Sequence, residues 1–203
     1  VLWTQEGGNA MRKVPCRGAL VLLTVSMVWG CGGKDTKGPP GPGEARGRVP
    51  DLRGQTVLVL PVQLQPNVAE GLTPDAELAY ALRTRAESVD WVFPPDVEEI
   101  LQRSPGVRVE MQNLPVTMFL QAEVDRIGDP LFGDLRRASA LVGADIAMIP
   151  VEVRFGVDDT YIISTAILSV RTGRVFWFGV AQGEMGGASN PQTLASAADA
   201  TPR

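Results

Sequence analysis

Apolar positions along the chain fall into blocks of different period, and each period predicts an element. TVLVLPVQL, Thr56 to Leu64, is an unbroken run of β-branched and leucine residues, the pattern of a strand buried on both faces in the middle of a sheet. In LTPDAELAYALRTRAES, Leu78, Leu82, Ala86 and Val89 recur at helical spacing. Thr73 stands as N-cap, Pro74 at the first helical position and Asp75 in the first turn. VDWVF, residues 89–93, reads as a second strand. Val97, Ile100 and Leu101 then mark a short helix stopped by Ser104, Pro105 and Gly106. Val116, Phe119, Leu120 and Val124 predict a helix within residues 115–125. A longer helix follows, with Asp129 as N-cap, Pro130 first, Leu131, Leu135, Ala138, Leu141 and Val142 on one face and Gly143 at its end.

Beyond Gly143 the period becomes two. Ala147, Ile149, Val151, Val153 and Phe155 are expected on one face, with Glu152 and Arg154 on the other. Asp158 and Asp159 turn the chain into TYIISTAILSV, and Thr172-Gly173 turns it into RVFWFGVAQ. These segments predict a three-stranded antiparallel meander. The expected fold is an α/β layered sandwich: a mixed sheet with a central N-terminal strand, helical crossovers between the first strands, and the meander at the end.

The flanks lack such blocks. Residues 32–54, GGKDTKGPPGPGEARGRVPDLRG, are glycine, proline and charge, and read as a disordered tether. The polar, small-residue stretch 185–203 is expected to be a mobile tail with at most a weak helix after Asn190 and Pro191. The folded domain is accordingly assigned to residues 55–184.

The amino end has a different character. Met11 is followed by Arg12, Lys13 and Arg17, then an apolar core from Ala19 to Trp29, then small residues, the order of an export signal with its start at Met11. That core runs about 11 residues, whereas a helix needs about 20 to cross a bilayer. Val28-Trp29-Gly30-Cys31 resembles a bacterial lipobox, in which cleavage precedes a cysteine that has received a diacylglyceryl group. Residues 1–30 are thus expected to be signal peptide and Cys31 the lipid attachment site. The acyl chains a lipobox cysteine carries suffice for stable anchoring, which one chain does not. Cys16, the other of the two cysteines, would leave with the signal, so no disulfide is expected.

Charge and composition then narrow the function. Residues 31–203 hold 16 basic and 22 acidic side chains, a net charge of −6 with no Lys/Arg run, which argues against a nucleic-acid partner. The chain contains no histidine. This excludes Ser-His-Asp and Cys-His catalysis and zinc sites that need histidine; with Cys31 acylated, no cysteine ligands remain either. No metal and no cofactor is expected. The remaining acid-base candidates, Glu98 with Glu99 and Asp158 with Asp159, read as solvated helix and turn residues. No glycine-rich phosphate loop follows the first strand. In FWF, residues 176–178, Phe176 and Phe178 are expected to face one way and Trp177 the other, which makes Trp177 the candidate exposed anchor for a partner.

VLVLPVQ opens the domain, LVGADIAMIPVEVRF joins its last long helix to a strand, and AILSVRTGRVFWFGVAQGE closes it as a hairpin. Across Thr56 to Glu184 this pattern resembles the lipoprotein domains grouped around CsgG, the TolB amino-terminal domain and related envelope-assembly lipoproteins. In that group a helix before GAD leads into a strand, and a TG-x-V-x-W hairpin, here Thr172, Gly173, Val175 and Trp177, closes the sheet. Arg171 stands where the group usually carries Asp, and the first strand lacks its usual PF. Nothing in residues 116–126 alternates like a membrane β-hairpin. With the lipobox, the long tether and the absence of catalytic groups, the resemblance implies a non-enzymatic membrane-anchored lipoprotein that binds an envelope protein or cell-wall component, and Gly32 after the cysteine, where an Asp would favour the inner membrane, points to the outer membrane facing the periplasm. The alternative is a homo-oligomer, a self-assembling ring or scaffold subunit.

Overall fold

The computed structural model describes residues 38–104 and 106–202, so residues 1–30, read above as an export signal, and Cys31 lie outside the described residues. Six strands form one mixed sheet: β1 (Ala45–Gly47), β2 (Thr56–Val59), β3 (Asp90–Val92), β4 (Ile146–Phe155), β5 (Tyr161–Ser169) and β6 (Val175–Gln182), in the order β1-β6-β5-β4-β2-β3. β2 runs parallel to β3 and to β4, while β4, β5 and β6 form the antiparallel meander and β1 pairs antiparallel with β6. Strands that run parallel need crossovers, and helices supply them. These are α1 (Pro74–Arg85) between β2 and β3, then α2 (Pro94–Gln102), α3 (Met118–Gln121) and α4 (Leu131–Val142) between β3 and β4.

The helices lie on both faces of the sheet, giving an α/β sandwich. Leu58, Ala147, Ile149 and Leu168 pack with Val97 of α2, Phe119 of α3 and Leu131 and Leu135 of α4. On the other face Val57, Val59, Met148 and Ile167 pack with Leu78 and Leu82 of α1. Val57 and Leu58, adjacent in β2, are both fully buried on opposite faces, as their unbroken apolar run requires. Pro74 opens α1 and Gly143, at φ 69°, closes α4. Pro130, rather than Asp129, is the residue that precedes α4.

Two β-bulges redistribute side chains that strict alternation would place otherwise. In β4 the register shifts between Pro150 and Glu152. Ala147, Ile149 and Val151 therefore join the α4 face, while Val153 and Phe155 cross to the opposite face with Tyr161. In β6, Leu168 pairs with Val175 and Ile167 with Trp177, which leaves Phe176 as the extra residue. Phe176 and Trp177 thus pack on the α1 face, and Phe178 on the other, stacked on Phe119 with ring centroids 5.6 Å apart.

The segment expected to be a disordered tether is folded in its second half. Gly43 N–H donates to the Val180 carbonyl (2.7 Å), Val180 N–H to Glu44 (2.9 Å) and Arg48 N–H to Phe176 (2.9 Å). The outer edge of β6 presents backbone groups that need partners, and this requirement outweighs low hydrophobicity. Gly47 sits at φ 76°, where a Cβ would lie 2.1 Å from the Phe176 carbonyl oxygen. Val49 and Leu52 then enter the cluster that contains Trp177.

The expected mobile tail likewise contains a docked helix, α5 (Pro191–Ala200), whose Asn190 cap accepts from Gln192 N–H at 3.0 Å. Leu194 and Ala197 are fully buried with Val153, Tyr161 and Ile163. Arg85 of α1 and Asp199 of α5 form an ion pair. Small side chains permit this close seat: a Cβ on Gly186 would meet Thr193 Oγ1 at 2.1 Å.

Candidate functional site

Of the residues singled out in the sequence, Cys31 lies outside the described residues, and Trp177 is buried at 6% exposure. Its indole lies over Gly179, where a Cβ would be 2.2 Å from Cζ2, beneath the cover that Val49 and Leu52 help to form. Trp177 is a core residue and offers no exposed anchor. Asp158 and Asp159 occupy the exposed β4–β5 turn, and Glu98 and Glu99 are exposed on α2. Among the described residues no group of three or more acidic or cysteine side chains gathers as a metal site.

A surface feature of a different kind lies where β2 and β3 end. In open parallel sheets the space beyond the carboxyl ends of the strands is bounded by the helices that follow them. Here β2 leads through Pro61 toward α1, and β3 leads directly into Phe93 and α2. Between the beginnings of α1 and α2 lies a groove of about 650 Å³, with Pro61, Leu72, Ala79, Phe93, Pro94 and Pro95 among its walls.

Tyr80 stands in this groove on α1, 69% exposed. Leu78 and Leu82 turn inward from the same helix, so Tyr80 is on the outward side, an apolar ring at a place where packing does not require one. Arg83, one turn on, lies with its guanidinium carbon 4.5 Å from the Phe93 ring centroid, a cation–π contact. The Asp96 carboxylate accepts from Phe93 N–H at 2.9 Å and fixes the start of α2. Signals for Tyr80 and for the Phe93-Pro94-Pro95 wall were present in the sequence as an aromatic off the buried stripe and a double proline. The fold was needed to bring the two together.

Asp75 lines the groove, half-buried, and its Oδ1 accepts from Val62 N–H at 2.7 Å. Burial pushes its carboxyl above the ordinary 3.8, and the Val62 hydrogen bond offsets this only in part. With a folded-state pKa above the unfolded one, the stabilising contribution is complete below about pH 3.8 and is lost as pH rises through the folded value. Asp75→Asn keeps an oxygen for Val62 N–H and removes the charge. Its urea midpoint is expected to exceed that of the parent at pH 7 and to converge with it toward pH 3. A parent that gains on the variant as pH rises would contradict this.

A second cleft, of about 480 Å³, runs beside β1 and β6, with Arg46, Glu123, Asp125 and Arg174 among its lining. It is more polar, and Arg46 is paired with Glu123 at 3.0 Å. The apolar groove with its exposed aromatic ring is the better candidate for recognition of another molecule.

No protein-family model and no curated protein matches the sequence. Several solved structures are similar at low identity. The LpoB C-terminal domain from Salmonella enterica is 15% identical with a TM-score of 0.45, over 66% of this chain and 84% of that one. The lipoprotein GNA1162 from Neisseria meningitidis is 17% identical with a TM-score of 0.39, over 66% and 83%. A PelC dodecamer from Paraburkholderia phytofirmans is 13% identical with a TM-score of 0.35, over 77% and 91%. Likeness of this order carries no functional weight, which rests instead on this chain's own residues.

Proposed function

We propose that this chain is a non-catalytic bacterial lipoprotein, acylated at Cys31 and held at the outer membrane facing the periplasm, whose α/β domain docks another envelope component. The groove between α1 and α2 is its docking surface, and the exposed Tyr80 beside Phe93, Pro94 and Pro95 is the observation that carries this reading. Aromatic side chains rimming an apolar depression are typical centres of protein recognition. The lipobox-like Val28-Trp29-Gly30-Cys31 supports the anchor, and the absence of histidine supports binding over catalysis. The sequence resemblance to the group around CsgG and the TolB amino-terminal domain supports the envelope setting.

The test is a photocrosslinking amino acid at position 80 of the full chain, produced in a bacterial envelope, with position 157 as a control. Val157 is 98% exposed at the β4–β5 turn. A discrete adduct from position 80, absent from position 157 and diminished when Cys31→Ser releases the chain from its membrane, is expected. An adduct with a second copy of the chain would favour a self-assembling scaffold, and no adduct from position 80 would remove the groove from consideration.

A further inference from the structure

The groove carries a charge pattern as well as apolar walls. Asp75 and Glu98 both line it, and neither is in an ion pair with a described residue. Arg83, which also lines it, is placed over the Phe93 ring. The N-termini of α1 and α2 open on the groove, and helix N-termini ordinarily attract anions. Here each already holds a carboxylate of the chain, Asp75 in the first turn of α1 and Asp96 in that of α2. An anionic partner therefore finds both positive ends occupied, whereas a cationic one meets unpaired carboxylates.

The walls restrict the form of the partner. Proline has no backbone N–H, so Pro61, Pro74, Pro94 and Pro95 withhold the donors that strand addition would need. Grooves lined by aromatic rings and poor in main-chain donors suit extended polyproline-type segments, which are read through their side chains. We infer that the groove takes an extended, proline-containing basic segment of a partner protein, with an apolar ring against Tyr80 and a lysine or arginine against Glu98 and Asp75. This rests on the reading of the groove as a docking surface and names the chemistry that surface selects.

The test is fluorescence anisotropy with the full chain in detergent and two labelled probes. One is a proline-rich peptide with arginine at every third position, and its twin has glutamate at those positions. The basic peptide is expected to bind and the acidic twin not to. Tyr80→Ala is expected to weaken the basic peptide about tenfold, and Tyr80→Phe to leave it nearly unchanged. Glu98→Lys, at an exposed position, is expected to weaken the basic peptide and to gain affinity for the twin. Equal binding of the twins, or basic-peptide binding indifferent to Tyr80→Ala, would overturn the inference. So would binding of neither probe; a position-80 adduct would then leave the docking surface standing and reject only the basic, proline-containing partner.

Discussion

Trp177→Ala is expected to destabilise the domain by about 3–5 kcal/mol, the range for removing a large aromatic side chain from a packed interior. The indole is 6% exposed and belongs to the same cluster as Leu52, Val57, Leu78 and Ile167. Truncation would open a space in the cluster shared by β2, α1 and the segment after β1, whose Val49 and Leu52 pack there. Urea unfolding measures the effect: the midpoint falls sharply, and protection of Gly43 and Arg48 amides, which bond to β6, falls with it. An unchanged midpoint together with a loss of partner crosslinking would restore Trp177 to a surface role. The fold at Gly179 has no room for a Cβ under the ring, so a side chain there would displace the indole.

Leu194→Ala is expected to cost about 2–5 kcal/mol. Leu194 is fully buried between α5 and the end of the meander, and Tyr161, the largest fully buried side chain nearby, shares its cluster. The Tyr161 hydroxyl donates to the Ala188 carbonyl at 2.6 Å, which holds the approach to α5. Thermal unfolding of the variant is expected to remain a single transition at lower temperature, because α5 completes one layer of the core. A tail that merely frays would instead show an unchanged main transition preceded by a small loss of helix.

The interior of the domain was legible because its elements combine strong periodicity with specific punctuation. β2, α1, α2, α4 and the meander follow from runs such as TVLVLPVQL and from Pro74 and Gly143. Their faces were less so. A single inserted residue at Val151 or Phe176 inverts alternation downstream; Pro150, in an interior strand, was the one signal for the first and nothing marked the second, so Val153, Phe155 and Phe176 moved to the opposite layer. The ends failed for another reason. Composition averages over a segment, but Ala45–Gly47 is held mainly by backbone pairing to an edge, and α5 by a single leucine, Leu194, among alanines that approach closely. Neither mechanism raises the mean hydropathy of the segment enough to mark it. The groove escaped prediction because its walls come from residues 61, 80 and 93–95, which become neighbours only when β2 and β3 align in parallel.

Pairing of β1 with β6 also sets where a pull on the amino-terminal segment would be felt. With β1 at one margin of the six-stranded sheet and β3 at the other, strand spacing of about 4.8 Å separates them by about 24 Å. Were Cys31 the anchor proposed above, about a dozen residues would separate it from Gly43, which is bonded to β6, a fully extended span of at most about 43 Å. Tension on such a leash would act on the β1 margin, at the opposite edge of the sheet from β3 and the Phe93 wall that follows it. A pull arriving through the amino-terminal segment would thus enter the domain at the strand farthest from β3 and be borne first by the β1–β6 hydrogen bonds.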